Sequence, residues 1–273
     1  MLSLCLRALL YQGCLGFTAM MLGLGACGPI EPQETIPQTQ KQQALQEDMV
    51  ALFVQAKAFD AASPVAQKLY QQHKDRPGPA YWLGVILREK GVYSESEKYF
   101  LEALTKDPKH APSFDGLGIL YGVQGKLPQA IKAHKQAIEI ENTNAKYWNN
   151  YGFALSLNQD FSSAIKAYEQ SIRLAPHEKR SFVNLAFVYG AQNKHKEAEH
   201  YLSQVLPKEA VFLNLALIYE KQGQLQKAQN LYQKALQKNP HFSKAQVALK
   251  RLKALVRLDV NKSSDADQEM PKE

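Results

Sequence analysis

A small residue recurs at a fixed interval through the middle of this chain, and that interval limits the fold more tightly than any other feature. Gly84, Gly118, Gly152, Ala186 and Ala216 each follow an apolar side chain (Leu83, Leu117, Tyr151, Leu185, Leu215), at intervals of 34, 34, 34 and 30 residues. A second small residue follows each by twelve positions: Ser96, Ala130, Ala164, Ala198 and Ala228. Pro108, Pro176 and Pro240 close three of the units. Self-similarity with a period of roughly 20–50 residues marks an array of supersecondary units that bury their apolar faces against one another. Gly91, Gly125 and Gly223 fall between the two small residues, where a turn between helices needs a residue at ease with positive φ.

This pattern resembles the tetratricopeptide repeat, a hairpin of two antiparallel helices, A and B. The resemblance covers about residues 77–242 as five units beginning near Pro77, Ala111, Ala145, Lys179 and Glu209. The fourth unit is four residues short, with the loss placed at Gln204–Pro207. Residues 43–76 read as a degenerate first unit that keeps Ala66 and Tyr70 but lacks the glycine of helix A. Residues 243–258 carry apolar residues at helical spacing with basic ones between, and read as the capping helix a solenoid needs at its end. The expected fold is therefore all-α: a superhelical solenoid over 43–258. The small residue of helix A is expected to face the small residue of helix B, with Phe100, Tyr168 and Tyr232 filling the space between neighbouring units.

The ends of the chain read differently. All three cysteines, Cys5, Cys14 and Cys27, lie in the first 27 residues, so the repeats hold neither a disulfide nor a cysteine-based metal site. Residues 1–26 contain a single charged side chain, Arg7, ahead of a mostly apolar stretch, as a secretory signal does. Leu24-Gly25-Ala26-Cys27 resembles the lipobox of bacterial lipoproteins. The resemblance implies that residues 1–26 are removed and Cys27 is lipidated, with palmitate among the acyl groups. Gly28 in place of Asp implies the outer membrane, with the domain facing the periplasm. Residues 27–42 read as the lipidated cysteine and a flexible tether, and 259–273 as a disordered tail.

Stacked hairpins make a concave face lined by helix A. In the repeat family the inward positions are the second, fifth, ninth, twelfth and thirteenth of each unit, with the sixth close by. Carried onto this sequence, they give a peptide-binding groove of Tyr81, Val85, Ile119, Asn149, Asn150, Phe153, Val183, Asn184, Phe187, Leu213, Asn214 and Leu217. The apolar members suit an apolar or amphipathic segment of a partner protein; core packing is the competing role for each. The run Asn150, Asn184, Asn214 offers both donors and acceptors to an extended backbone; hydrogen bonds between helices are its competing role. Arg88, Lys146 and Arg180 do not form the basic clamp with which chaperone-binding members hold a terminal carboxylate.

The formal charge of +7 is spread along the chain without a basic stripe, so nucleic acid is not an expected partner. The seven histidines make no HExxH motif, and no GxSxG or phosphate loop occurs. No catalytic residue, metal or cofactor is expected, and an enzyme with an unrecognised site is the third of three readings. The first comes from the segment Asn184–Gly223, which resembles the repeat lipoproteins of Tad/Flp pilus loci and, more distantly, the pilotins of type IV pili. That resemblance implies a scaffold for assembling a pilus or secretin, inserted in the membrane through its lipid and open to homodimerisation. The second is an adaptor for peptidoglycan hydrolases or proteases in the cell envelope.

Overall fold

The computed structural model describes residues 38–266, with side chains described for 42–255. The apolar leader, Cys27 and most of the tether lie outside the described residues. Thirteen helices and no strand occur among the described residues. They run as α1 (Gln38–Gln55), α2 (Phe59–Gln72), α3 (Pro77–Glu89), α4 (Tyr93–Lys106), α5 (Ala111–Val123), α6 (Leu127–Ile140) and α7 (Ala145–Leu157). The second half comprises α8 (Phe161–Leu174), α9 (Lys179–Ala191), α10 (His195–Val205), α11 (Lys208–Lys221), α12 (Leu225–Lys238) and α13 (Ser243–Ala266). Odd-numbered helices are the A helices and even-numbered ones the B helices.

Local chemistry sets the helix ends. Asn144, Asp160 and Glu178 cap α7, α8 and α9 by accepting from the backbone N–H of Lys146, Ser163 and Arg180. Proline occupies the first turn of α3, α5 and α6, where its missing N–H costs nothing. Each hairpin turn passes through one left-handed residue: Lys57, Gly91, Gly125, Gln159, Asn193 and Gly223. These recur with the period of the repeat, and three of them are not glycine. At the turn after α7, the N–H of Asp160 reaches back to the carbonyl of Leu155 at 3.0 Å, closing the helix around Gln159 at φ 62°. A side chain in that conformation costs about 1–2 kcal/mol, partly offset by the entropy glycine loses on folding. Gln159→Gly is therefore expected to stabilise the array by about 0.5–1 kcal/mol, read from the urea midpoint; a lower midpoint would contradict this account of the turn.

Three boundaries differ from the sequence expectation. Helix α1 begins at Gln38, inside the stretch read as tether, because glutamine and lysine are good helix formers even without an apolar face. Helix α13 continues to Ala266, past residue 258, into the stretch read as a disordered tail. The missing four residues of the fourth unit appear as a short helix B: α10 has 11 residues where α8 has 14, and Leu206 and Pro207 alone join it to α11.

Packing follows the repeat. From α3 through α11, each A helix packs along its own B helix and against the B helix before it, and α13 packs on α12. Successive A helices also lie against one another, from α3 through α11, and approach more closely than successive B helices do. The A helices therefore line the inside of the curve. The small residues sit where expected, but their neighbours differ in part. Ser96 does meet helix A, donating its hydroxyl to the carbonyl of Gly84 at 2.7 Å. The space over each glycine, however, is taken by a ring one turn further along helix B. A Cβ on Gly84 would lie 2.8 Å from Phe100, one on Gly118 2.5 Å from His134, and one on Gly152 3.0 Å from Tyr168. The aromatic residues thus fill the hairpin itself as well as the gap to the next unit.

Candidate binding groove

The ninth and thirteenth positions of the A helices form a row along the inner face. Phe153 is 50% exposed although it stands mid-array, because its position points into the trough and away from both neighbouring hairpins. It is shared by two cavities. One, of about 320 Å³ between α5 and α7, is walled by Ile119, Val123, Phe153 and Leu157, with His134 at its base. The other, of about 280 Å³ between α7 and α9, is walled by Phe153, Leu157, Phe187 and Ala191, and Lys221 reaches its edge. A third, of about 400 Å³, carries the row onward through Leu217 to Val247 and Arg251 of α13. Val123, Leu157 and Val247 were missed by the sequence reading, although all three are exposed. Their signal was present: each apolar ninth residue in α5 and α7 is followed by another four positions later, on the same helix face.

Other expected groove residues serve the core. Val85 is buried against Phe100, Leu117 and Leu120, and Leu213 against Tyr232 and Leu252. Val183 and Phe187 are half-buried, packing on the cluster around Leu202 and Leu215. Tyr81 lies among the rings of Trp82, Phe100 and His110 at centroid distances of 5.0, 6.0 and 5.6 Å. Burial first, and then the Asp115 charge, push its phenol up to about 12, so it stays a neutral donor.

The amide nitrogens of the asparagines are engaged within the protein, although Asn150 and Asn184 also line the two cavities beside Phe153. Asn150 donates its amide to both Asp115 oxygens, at 2.9 and 3.1 Å. Asp115 also accepts from Nδ1 of His134 at 2.9 Å, both side chains being buried. Asn149, itself buried, donates to Oδ1 of Asn150 and accepts from Asn184 at 3.0 Å and from the Ser181 hydroxyl at 3.2 Å. Ser171 donates to the carbonyl of Ala145, and the one Ser181 hydroxyl proton is shared between Asn149 and Ser171, 2.7 Å away. Asn214 donates to its own helix at Ala210. The result is a continuous polar ladder joining three units beneath the trough. Buried polar groups must find partners, and here many find one another, so Asn150, Asn184 and Asn214 each take the competing, structural role through the amide nitrogen.

Beside the ladder lies a polar hollow flanked by the exposed Lys146 and Arg180, with Glu178 among them. The mixture of charges gives it no single-sign preference. No group of three or more His, Cys, Asp or Glu side chains suited to a metal ion occurs among the described residues.

Residues 80–110, 145–178 and 210–242 match family models of the tetratricopeptide repeat. The chain carries tetratricopeptide repeats. Its fold is similar to that of a structure from a functional characterization of Pseudomonas aeruginosa pilF, with 13% identity and a TM-score of 0.59 over 78% of this chain and 98% of that one. A chain of the APC/C hetero-tetramer Cut9–Hcn1 is similar at 16% identity and a TM-score of 0.59, over 74% of this chain but 41% of its own length. YrrB, described as a TPR protein with an unusual peptide-binding site, follows at 16% identity and a TM-score of 0.50, over 68% of this chain and 97% of that one. At such identities the likeness is one of fold. No curated protein matches the chain. The repeats define a scaffold for protein–protein interaction.

Proposed function

We propose that this protein is a lipid-anchored scaffold of the cell envelope that holds an apolar segment of another protein in its trough, and so assists assembly of a pilus or secretion machine. The observation that carries the proposal is the exposed row centred on Phe153. Apolar side chains at the inward positions, flanked by cavities large enough for bulky residues, have no packing role to explain their exposure. The partner segment inserts large apolar side chains on either side of Phe153. The pilus role is supported by the resemblance of Asn184–Gly223 to Tad/Flp repeat lipoproteins, and by a fold shared with nearly the whole of the pilF structure. Acylation at Cys27 supplies the anchor and places the array on the periplasmic face of the outer membrane. The chain performs no catalysis in this reading.

A photo-crosslinking amino acid at Phe153, in cells, is expected to trap a pilus or secretin component. Phe153→Asp with Val123→Asp, both side chains at least half exposed, is expected to leave the helical content unchanged and to weaken that pairing at least about thirtyfold, as loss of an aromatic anchor worth ~2 kcal/mol would. Cys27→Ser is expected to move the protein out of the membrane fraction. Capture of peptidoglycan hydrolases or proteases in place of pilus components would favour the envelope-adaptor reading, and pairing that survives the double substitution would remove the trough from the mechanism.

A further inference from the structure

The two ends of the array are finished differently. In each unit the third, seventh and tenth residues of helix A face the hairpin before it. In α3 these are Pro79, Leu83 and Ile86, and in α11 Val211, Leu215 and Ile218, all buried. In α1 the same positions, counted from residue 43, are Leu45, Met49 and Leu52, exposed by 62%, 39% and 64%, with no hairpin of the described residues packed on them. At the other end, α13 shows Gln246, Lys250 and Lys253 where a following helix would pack, a polar finish suited to solvent. Among the described residues the array presents a polar face at its carboxyl end and an apolar one at its amino end.

We propose that the bare face of α1 rests on a bilayer surface, setting Leu45, Met49 and Leu52 among the headgroups and fixing the orientation of the array on its membrane. The inference rests on the reading of Cys27 as the acylated residue. Ten residues, 28–37, separate Cys27 from the start of α1. At roughly 3.3–3.6 Å each they span about 35 Å when fully extended, so the first helix is the element the anchor keeps within reach of lipid. A contact tethered in this way succeeds with little area, because the anchor raises its effective concentration. A second copy fits the patch less well. Three side chains fall well short of the ~800 Å² per partner of a stable protein interface. A two-fold pairing of α1 would also bring the exposed Asp48 of each copy together. At a bilayer that carboxylate meets the ammonium of phosphatidylethanolamine, while the three apolar side chains dip below it, held there by the anchor because α1 lacks a basic amphipathic face of its own.

After removal of residues 1–26, Cys27 is the chain's one thiol. Coupling it to a maleimide phospholipid in vesicles of phosphatidylethanolamine and phosphatidylglycerol supplies the anchor whether or not cells acylate Cys27, so this test and the Cys27→Ser fractionation fail separately. Leu52→Trp adds an indole to those of Trp82 and Trp148 at a site where most of the side chain is exposed, and Leu45→Trp repeats the measurement if the first variant loses helicity. Brominated lipids are expected to quench about half or more of the added emission while leaving that of wild type unchanged. Quenching below that level overturns the proposal. So does a blue shift that appears without vesicles and grows with protein concentration, which would assign the face to a second copy.

Discussion

Replacing Phe100 with alanine is expected to cost the array about 3–5 kcal/mol, the upper range for removing a buried aromatic side chain. The ring is wholly buried, and two glycines from successive units hold it. A Cβ would fall 2.8 Å from it at Gly84 and 2.5 Å from it at Gly116. The ring therefore touches backbone on α3 and α5, and neither glycine has a side chain that could swing into the vacated space. Poor relaxation is what moves such a deletion to the top of its range. In a one-dimensional array the effect is also directional, since each unit is stabilised chiefly by its neighbours. Urea unfolding of the variant is expected to show the segment before α5 melting ahead of the rest, as an early loss of helicity. A single transition shifted by less than about 1 kcal/mol would mean that this ring does not couple the two units.

The sequence made the period, the hairpin boundaries and the inner face legible because each recurs, and recurrence turns a weak local signal into a strong one. Helices α3, α5, α7 and α9 begin at Pro77, Ala111, Ala145 and Lys179, where the units begin in the sequence. What did not recur was harder to read. The left-handed turn residue is glycine in three hairpins, but Lys57, Gln159 and Asn193 occupy the same place in the others, and composition alone does not mark them. Spacing shows which face of α7 carries Gly152; it does not show that Tyr168 covers it. The polar ladder was beyond reach for a similar reason. Asn150 finds Asp115, and Asn184 finds Asn149, each 35 residues away, and only the stacking of units brings them together. An asparagine read alone offers its amide equally to a ligand or to a neighbour. The groove was half legible: Phe153 stands out as an aromatic at an inward position, while Val123 and Leu157, at the ends of their helices, look like ordinary core residues.

The position that breaks the aromatic series yields the second large effect. Counting alike in each unit, Phe100, Tyr168 and Tyr232 share a place that Leu202 takes in α10 and the polar His134 takes in α6. His134 stacks over Gly118 as the rings do, but its Nδ1 needs an acceptor, and Asp115 provides it at 2.9 Å with both side chains almost fully out of solvent. Asp115 in turn anchors Asn150 and the ladder beyond. Asp115→Leu is expected to cost about 3–5 kcal/mol, because it strands one buried imidazole donor and one half-buried amide donor together. His134→Phe alone is expected to cost less, about 1–3 kcal/mol, since Asp115 keeps Asn150 but loses its other partner in a buried place. The double variant Asp115→Leu, His134→Phe restores the apolar arrangement of the other units and leaves only Asn150 to turn towards solvent. Its cost is expected to fall well below the sum of the two single changes, with a coupling of about 1–3 kcal/mol in a double-mutant cycle. Additive costs would show that the two side chains act independently, and that the ladder does not begin at His134. Because His134 also forms the base of the cavity beside Phe153, partner binding by the double variant measures the same pair in a second way. A phenylalanine there keeps the cavity apolar, so binding should survive even where the hydrogen bonds beneath it are gone.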